Sequence, residues 1–142
     1  MTKADNLYYS AEAAAGIGFL AACPSLEDAS RFVAFHTSKP WWRALCPGDP
    51  EIGLVYIPRV QFSGTTRERG KFVISIALNR LHEGIIAHEL AHVPTFHSDT
   101  EHSDHNAAFA RAHLEILKHT TDGILVARFK HELQARGILP ED

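Results

Sequence analysis

Two histidines stand four residues apart in the segment HELAH, which begins at His88, and a glutamate directly follows the first of them. Residues four apart on a helix share one face, so the imidazoles of His88 and His92 can bind a single metal ion. Glu89 lies about 60–100° around the same helix, where it can reach a metal-bound water without being a ligand. The H-E-x-x-H spacing therefore predicts two zinc ligands and a general base, Glu89.

The residues around this motif favour a metal site over an ordinary buried histidine. In the sequence RLHEGIIAHELAHV, helical spacing places Leu81, Ile85, His88 and His92 on one stripe. A stripe of this kind normally faces a core, where histidines need polar partners or a metal. One buried histidine is usually a hydrogen-bonded core residue, but a pair with a glutamate between them favours metal binding.

A three-ligand zinc site needs one more side chain, and two obvious sources do not fit. The extended pattern H-E-x-x-H-x-x-G-x-x-H would require glycine at Thr95 and histidine at Ser98. Glu115 could complete a site with two histidines and one glutamate. In a helix over residues 106–118, however, Glu115 points about 80° away from the apolar stripe.

His105 is the predicted third ligand. At 100° per residue it lies on the apolar stripe of its helix, together with Ala108, Phe109, Ala112 and Ile116. Pro94 is incompatible with continuing the preceding helix beyond His92, so the chain is expected to turn back there. Residues 94–104 then give enough reach to bring His105 over the metal. The expected cofactor is Zn²⁺, held by His88, His92 and His105.

Two further histidines, His97 and His102, lie in a polar loop, each within an HSD triplet. We interpret this loop as solvated, with Ser103 or Asp104 capping the next helix. The alternatives are a mobile lid near the metal or a spare ligand at His102.

The elements that must position these residues are predicted from periodicity and from helix and strand signals. Ser25 with Asp28 predicts the start of a second helix, which ends before Pro40. Trp41 and Trp42, in the connection that follows, indicate core or lid packing. Alternation predicts a strand with Phe72, Ile74, Ile76 and Leu78 on one face. The other predicted elements are a helix over 4–22, a strand over 51–62 weakened by Pro58, a turn over 63–70, and helices over 80–93, 104–119 and 122–136, the last stopped by Gly137.

These elements predict an α+β fold in one domain over residues 1–142, with a small antiparallel sheet packed against helices and the metal site on a central helix. Composition is globular, with 45% hydrophobic and 22% charged residues. The net charge of −3 argues against a protein that binds nucleic acid by phosphate neutralisation. Cys23 and Cys46 fit no metal or redox spacing and are expected to be reduced. Without an export signal or an apolar run of about 20 residues, we expect a cytoplasmic protein that does not cross a membrane.

The segment IIAHELAHV, followed by DHNAAFARAHLEIL, resembles the zincin-like metallohydrolases of actinobacteria and their phages. The segment SLEDASRFVAFHTSKPWWRAL is also similar, so the resemblance covers most of the chain, loosely outside the metal motif. H-E-x-x-H followed by H-x-x-x-F is also found in SprT-like metalloproteases. The resemblance implies a zincin-like fold, the ligands His88, His92 and His105, and Glu89 as catalytic glutamate. Asn106 departs from the glycine that is common at its position.

Together these patterns predict a zinc-dependent hydrolase, by default a metallopeptidase that acts on a peptide or protein. An extended substrate could pair with the sheet edge over 72–78. Candidates for assisting the metal at the substrate oxygen are Tyr56, Arg111 and His113. One alternative is a non-catalytic metal-binding interaction or regulatory module, which would not need Glu89. The other is a DNA-associated SprT-like protease, but the net negative charge argues against binding to DNA.

Overall fold

The computed structural model describes residues 2–57, 63–77, 81–96 and 104–142. Within these residues the chain forms six α-helices, a short 3₁₀ turn and one three-stranded sheet. In chain order the elements are α1 (Lys3–Ala15), the 3₁₀ turn (Ile17–Phe19), α2 (Leu26–Thr37), α3 (Pro40–Leu45), β1 (Ile52–Ile57), β2 (Gly64–Glu68), β3 (Lys71–Ala77), α4 (Glu83–Thr95), α5 (Ala107–Thr120) and α6 (Gly123–Ala135). The predicted α+β class is confirmed.

The first helix is shorter than the predicted 4–22. It begins with a capping box. The Thr2 side chain accepts a hydrogen bond from the Asp5 amide, and the Asp5 side chain accepts one from the Thr2 amide. It ends because Gly16 adopts a left-handed conformation with φ 84°, which is the usual C-terminal stop for a helix.

The second helix follows its prediction, and the connection after it holds an unpredicted helix. The side chain of Ser25 accepts from the Asp28 amide at the start of α2, which ends at Thr37, before Pro40. The tryptophan-containing connection then forms α3, with Pro40 in its first turn. Trp42 is fully buried, as expected for core packing.

The sheet is mixed, with strand order β1-β3-β2, so the prediction of an antiparallel sheet was wrong. β1 runs parallel to β3, whereas β2 pairs with β3 in antiparallel register. β2 occupies most of the segment predicted as a turn. The actual turn is only Arg69–Gly70, whose positive φ angles of 51° and 83° suit a tight two-residue hairpin.

β3 lies in the middle of the sheet. Phe72, Ile74 and Ile76 are buried on one face, as alternation predicted, whereas Leu78 lies outside the described residues. Because β3 pairs with β1 over Phe72–Ala77 and with β2 over Lys71–Ser75, it is the central strand and not an edge of the sheet. The prediction that an extended substrate pairs with this stretch was therefore wrong. Pro58 also lies outside the described residues.

The metal-motif helix α4 runs through the core. It extends to Thr95 with Pro94 inside its last turn, so the prediction that Pro94 ends the helix near His92 was wrong by about three residues. In the same turn the Thr95 hydroxyl donates to the carbonyl of Ala91 at 2.8 Å. At the other end α4 packs closely on the 3₁₀ turn, and a Cβ at Gly84 would lie 2.3 Å from the carbonyl oxygen of Ile17.

The last two helices follow their predictions except at one cap. The residue that caps α5 is Asn106, which accepts from the Phe109 amide, and not Asp104, while Ser103, the other predicted cap, lies outside the described residues. Asp122 caps α6, and Gly137, with φ 72°, follows the end of that helix. Both cysteines are free thiols. Within the described ranges, no helix is long and apolar enough to cross a membrane.

Candidate metal centre

The structure brings the three predicted ligands together. His88 and His92 project from α4, and His105 immediately precedes the α5 cap. One ring nitrogen from each can be chosen so that all three lie within 4.8 Å of one another. The competing ligand Glu115 is not part of this cluster, because its partly exposed side chain on α5 pairs with His119 at 3.1 Å.

Two carboxylates from α1 hold two of these imidazoles. Nδ1 of His88 lies 2.8 Å from Oε2 of Glu12, and Nδ1 of His105 lies 2.8 Å from Oδ1 of Asp5. A carboxylate accepts hydrogen bonds, so each Nδ1 carries the proton and donates it. In the neutral form of each ring the lone pair is then on Nε2. Metal-binding histidines commonly make this second hydrogen bond, which fixes the tautomer and makes the ligand more basic.

The two Nε2 atoms test whether these residues suit a metal. Nε2 of His88 and Nε2 of His105 lie only 3.0 Å apart, with the ring of His92 beside them. Two lone pairs facing each other at this distance repel unless a proton or a cation lies between them. Two zinc–nitrogen bonds of 2.0–2.1 Å can span such a separation, so the donor set fits a divalent metal with imidazole ligands.

Proton affinities in the metal-free cluster follow from burial and neighbouring charge. Burial opposes charge on His88, but Glu12 outweighs it and raises the pKa of His88 to about 9. Burial, reinforced by charge on His88 and His105, lowers the pKa of His92 to about 2. His92 is therefore neutral at physiological pH. His88 is protonated at that pH, and it must release this proton when a metal binds.

Glu89 is buried beside the cluster with a fixed orientation. Its side chain is only 4% exposed, and burial raises its pKa. The hydroxyl of Thr65, on β2, lies 2.8 Å from Oε1 of Glu89 and 3.0 Å from its backbone oxygen. β2, which the sequence did not predict as a strand, thus orients Glu89, the predicted general base, and leaves its Oε2 for other partners.

Aromatic residues close the buried side of the cluster. Phe109 packs on His92 with ring centroids 4.4 Å apart. His113 is fully buried, and its Nδ1 pairs with the hydroxyl of Tyr8 at 2.7 Å. Its Nε2 has no hydrogen-bond partner in the described part of the chain. His113 is therefore enclosed behind the ligands, where it has no access to a substrate.

The next residue of α1, Tyr9, lies on the open side. Its ring stacks on His88 at 5.8 Å between centroids and meets His105 edge-on at 5.3 Å. Tyr9 is 40% exposed, in contrast to the fully buried Tyr8. Partial burial and the charges of nearby carboxylates, Glu89 foremost, raise the pKa of Tyr9 to about 12, so its hydroxyl keeps its proton at neutral pH.

The other residues predicted to assist or bind the metal are not shown to contact His88, His92 or His105. Tyr56 lies on β1, at the sheet edge opposite β2. Arg111 lines a cavity of about 650 Å³ with Trp41 and Pro94. His97 and His102 lie outside the described residues.

Sequence reasoning missed Asp5, Tyr9, Glu12 and Thr65. A signal existed for the first three, because positions i, i+4 and i+7 of the predicted first helix share one face. Two acids on that face with a tyrosine between them indicate a polar partner elsewhere in the fold. Thr65 had no such signal, since its segment was predicted to be a turn.

No family model, curated protein or solved structure matches this chain. The resemblance to zincin-like metallohydrolases therefore rests on the motif residues themselves.

Proposed function

We propose that this protein is a zinc-dependent hydrolase, and more specifically a metallopeptidase, with His88, His92 and His105 as ligands and Glu89 as general base. The observation that carries the proposal is the pair of Nε2 atoms 3.0 Å apart, each on a ring whose Nδ1 is held by a carboxylate. Three protein ligands leave a coordination position for water or substrate, which is typical of catalytic zinc.

The chain's own residues supply the proton transfer. Bound zinc would act as a Lewis acid and make a coordinated water more acidic. Glu89 accepts the proton of the attacking water at Oε2, while Thr65 holds Oε1. Its burial supports this role, because a raised pKa brings a carboxylate closer to the value that suits a base near neutral pH.

A peptide substrate is supported by the position of β2. Among the described strands, β2 pairs only with β3, and Thr65 links it directly to Glu89. An extended peptide added along its other side would run past the metal centre. This edge replaces the one predicted from the sequence.

Metal content is the first test. The purified protein should hold close to one zinc per chain, and His88→Ala should abolish binding. His105→Ala should weaken binding far more than His97→Ala or His102→Ala, because only His105 lies in the described cluster. A larger effect of His102→Ala would move the third ligand into the loop.

Catalysis is tested by digestion of a peptide library. Glu89→Gln should keep metal and fold but lose cleavage by about 10²–10⁴-fold, since an amide cannot accept the proton. Glu27→Gln, an exposed glutamate on α2 paired with Arg31, is the matched control and should cleave like wild type. Activity that survives in Glu89→Gln would refute the mechanism.

A non-catalytic metal-binding module is the second candidate. The low exposure of His88 and Glu89, each 4%, favours it, since a site closed to substrate could still hold metal. Stoichiometric zinc with a fourth protein side chain as ligand, and no cleavage of any library peptide, would select this function.

A further inference from the structure

The hydroxyl of Tyr9 lies on the open side of the metal centre and has no role in the mechanism proposed above. Tyr9 stacks on His88 and meets His105 edge-on, so its ring covers two of the three proposed ligands. It remains 40% exposed, whereas Tyr8, one residue earlier, is fully buried and paired with His113. Both tyrosines contact the imidazoles of His88 and His105, and of the two only Tyr9 is accessible to a substrate.

The ring of Tyr9 lies against the histidine cluster and among its carboxylates. It lies within electrostatic range of Glu89, Glu12 and Asp5, the three carboxylates that surround the histidines. Within the described part of the chain its hydroxyl makes no hydrogen bond. A neutral donor at this position can serve an oxygen atom that enters the site with a ligand.

The three candidates suggested by the sequence fit this role less well. His113 is fully buried and already paired. Tyr56 lies at the opposite edge of the sheet, and Arg111 lines a separate cavity.

We propose that Tyr9 is a catalytic residue that donates a hydrogen bond from its hydroxyl to the substrate oxygen on which negative charge develops. This inference rests on the metal centre proposed above. A preorganised donor at a developing oxyanion is a large contributor to hydrolysis, because it strengthens only as the charge forms. The position of Tyr9 on α1 places this donor on the helix that also supplies Glu12 and Asp5, so one helix would orient both ligands and substrate.

The test uses two probes that differ in the group presented to the metal. Benzylphosphonate presents charged tetrahedral oxygens, whereas benzyl mercaptan binds through sulfur and offers no oxygen. Both are titrated by calorimetry into the full-length, zinc-loaded wild type, Tyr9→Phe and Tyr56→Phe, the last a matched control with similar exposure, 39% against 40%.

Tyr9→Phe should weaken benzylphosphonate binding by about tenfold or more, the usual effect of losing a hydrogen bond to a charged group. Its affinity for benzyl mercaptan and for zinc should stay unchanged, and Tyr56→Phe should behave like wild type. Where a peptide is cleaved, Tyr9→Phe should lower kcat by about 10²–10³-fold with little change in KM.

Two results would overturn the proposal. One is equal affinity of wild type and Tyr9→Phe for benzylphosphonate, including no binding to either. The other is a parallel loss of zinc or of both probes, which would make Tyr9 a structural part of the metal centre. If the phosphonate effect is found but no peptide is cleaved, the role of Tyr9 stands and the proposed peptidase activity fails.

Discussion

The individual histidines of this site depend on charges far away in the sequence. His88 and Glu12 are separated by 76 positions, and His105 and Asp5 by 100, yet each pair forms a 2.8 Å hydrogen bond. The His88 pair is well shielded, with side chains 5% and 13% exposed. Solvent screens such a pair weakly, so Glu12 should strongly affect the imidazole it holds.

We predict that Glu12→Gln lowers zinc affinity by about 10–100-fold, the usual effect of removing an outer carboxylate partner. The amide oxygen can still accept from Nδ1 of His88, but it carries no charge to make the ring a better ligand. Competition with a chelator measures this affinity, with Glu27→Gln as the exposed control. Unchanged affinity would mean that Glu12 only fills space.

Local spacing in the sequence was sufficient to predict some residues of the site but not others. His88, Glu89 and His92 were predictable because one helical turn places them together regardless of the rest of the fold. His105 required only the assumption of a second helix with an apolar stripe. Asp5 and Glu12 depend on where α1 packs, and a single sequence contains no information on that docking.

At the scale of elements, the start of α5 determines the position of His105, the proposed third ligand. Asn106 caps this helix by accepting from the Phe109 amide at 3.0 Å, and His105 directly precedes it. Asparagine is a strong N-cap residue, so it suits this position. A firm first turn also fixes Phe109, which packs on His92.

We predict that Asn106→Ala lowers the free energy of unfolding by about 1 kcal/mol and also weakens zinc binding. The second effect follows because a frayed first turn loosens His105. Asp122→Ala is the matched control, since Asp122 caps α6 by accepting from the Leu125 amide at 2.9 Å.

The control should lose similar stability in urea unfolding of the metal-free protein but keep full zinc affinity. Equal zinc affinity in Asn106→Ala and Asp122→Ala would show that the cap does not position His105.

The helices were more predictable than the sheet, for a physical reason. Ser25 and Asp122 mark helix starts through bonds to amides three residues away, and Gly137 marks a helix end through local backbone geometry. Strand pairing is not local. The polar strand β2 resembles a loop in sequence, and the parallel pairing of β1 with β3 is determined by the whole fold.

On the scale of the whole molecule, folding gathers imidazoles into a core that does not favour their charge. Burial lowers the pKa of His92 to about 2 and that of fully buried His113 well below its usual 6.5, and it also lowers that of His105. His88 is the exception, since Glu12 raises its pKa to about 9. The metal-free protein must therefore respond to pH in two opposite ways.

We predict that the metal-free protein is most stable near pH 6.5. Below this pH the unfolded chain binds protons at His92, His105 and His113 that the folded protein excludes, so stability falls by up to about 1.4 kcal/mol per pH unit for each group. Glu89 partly offsets this loss, because its raised pKa lets the folded protein bind a proton earlier than the unfolded chain does. Above pH 6.5 the folded protein retains a proton on His88 that the unfolded chain has released, and this contribution is lost as the pH rises to about 9.

Urea unfolding of the EDTA-treated protein at pH 5, 6.5 and 8.5 measures both limbs of this profile. With saturating zinc the alkaline decline should disappear, because the metal replaces the proton at His88 and its binding strengthens as protons are removed. Glu12→Gln should flatten the alkaline limb of the metal-free profile, since the raised pKa of His88 depends on that carboxylate. A metal-free protein equally stable at pH 5 and 6.5 would show that the imidazoles are hydrated in solution, and the enclosed cluster described above would then be wrong.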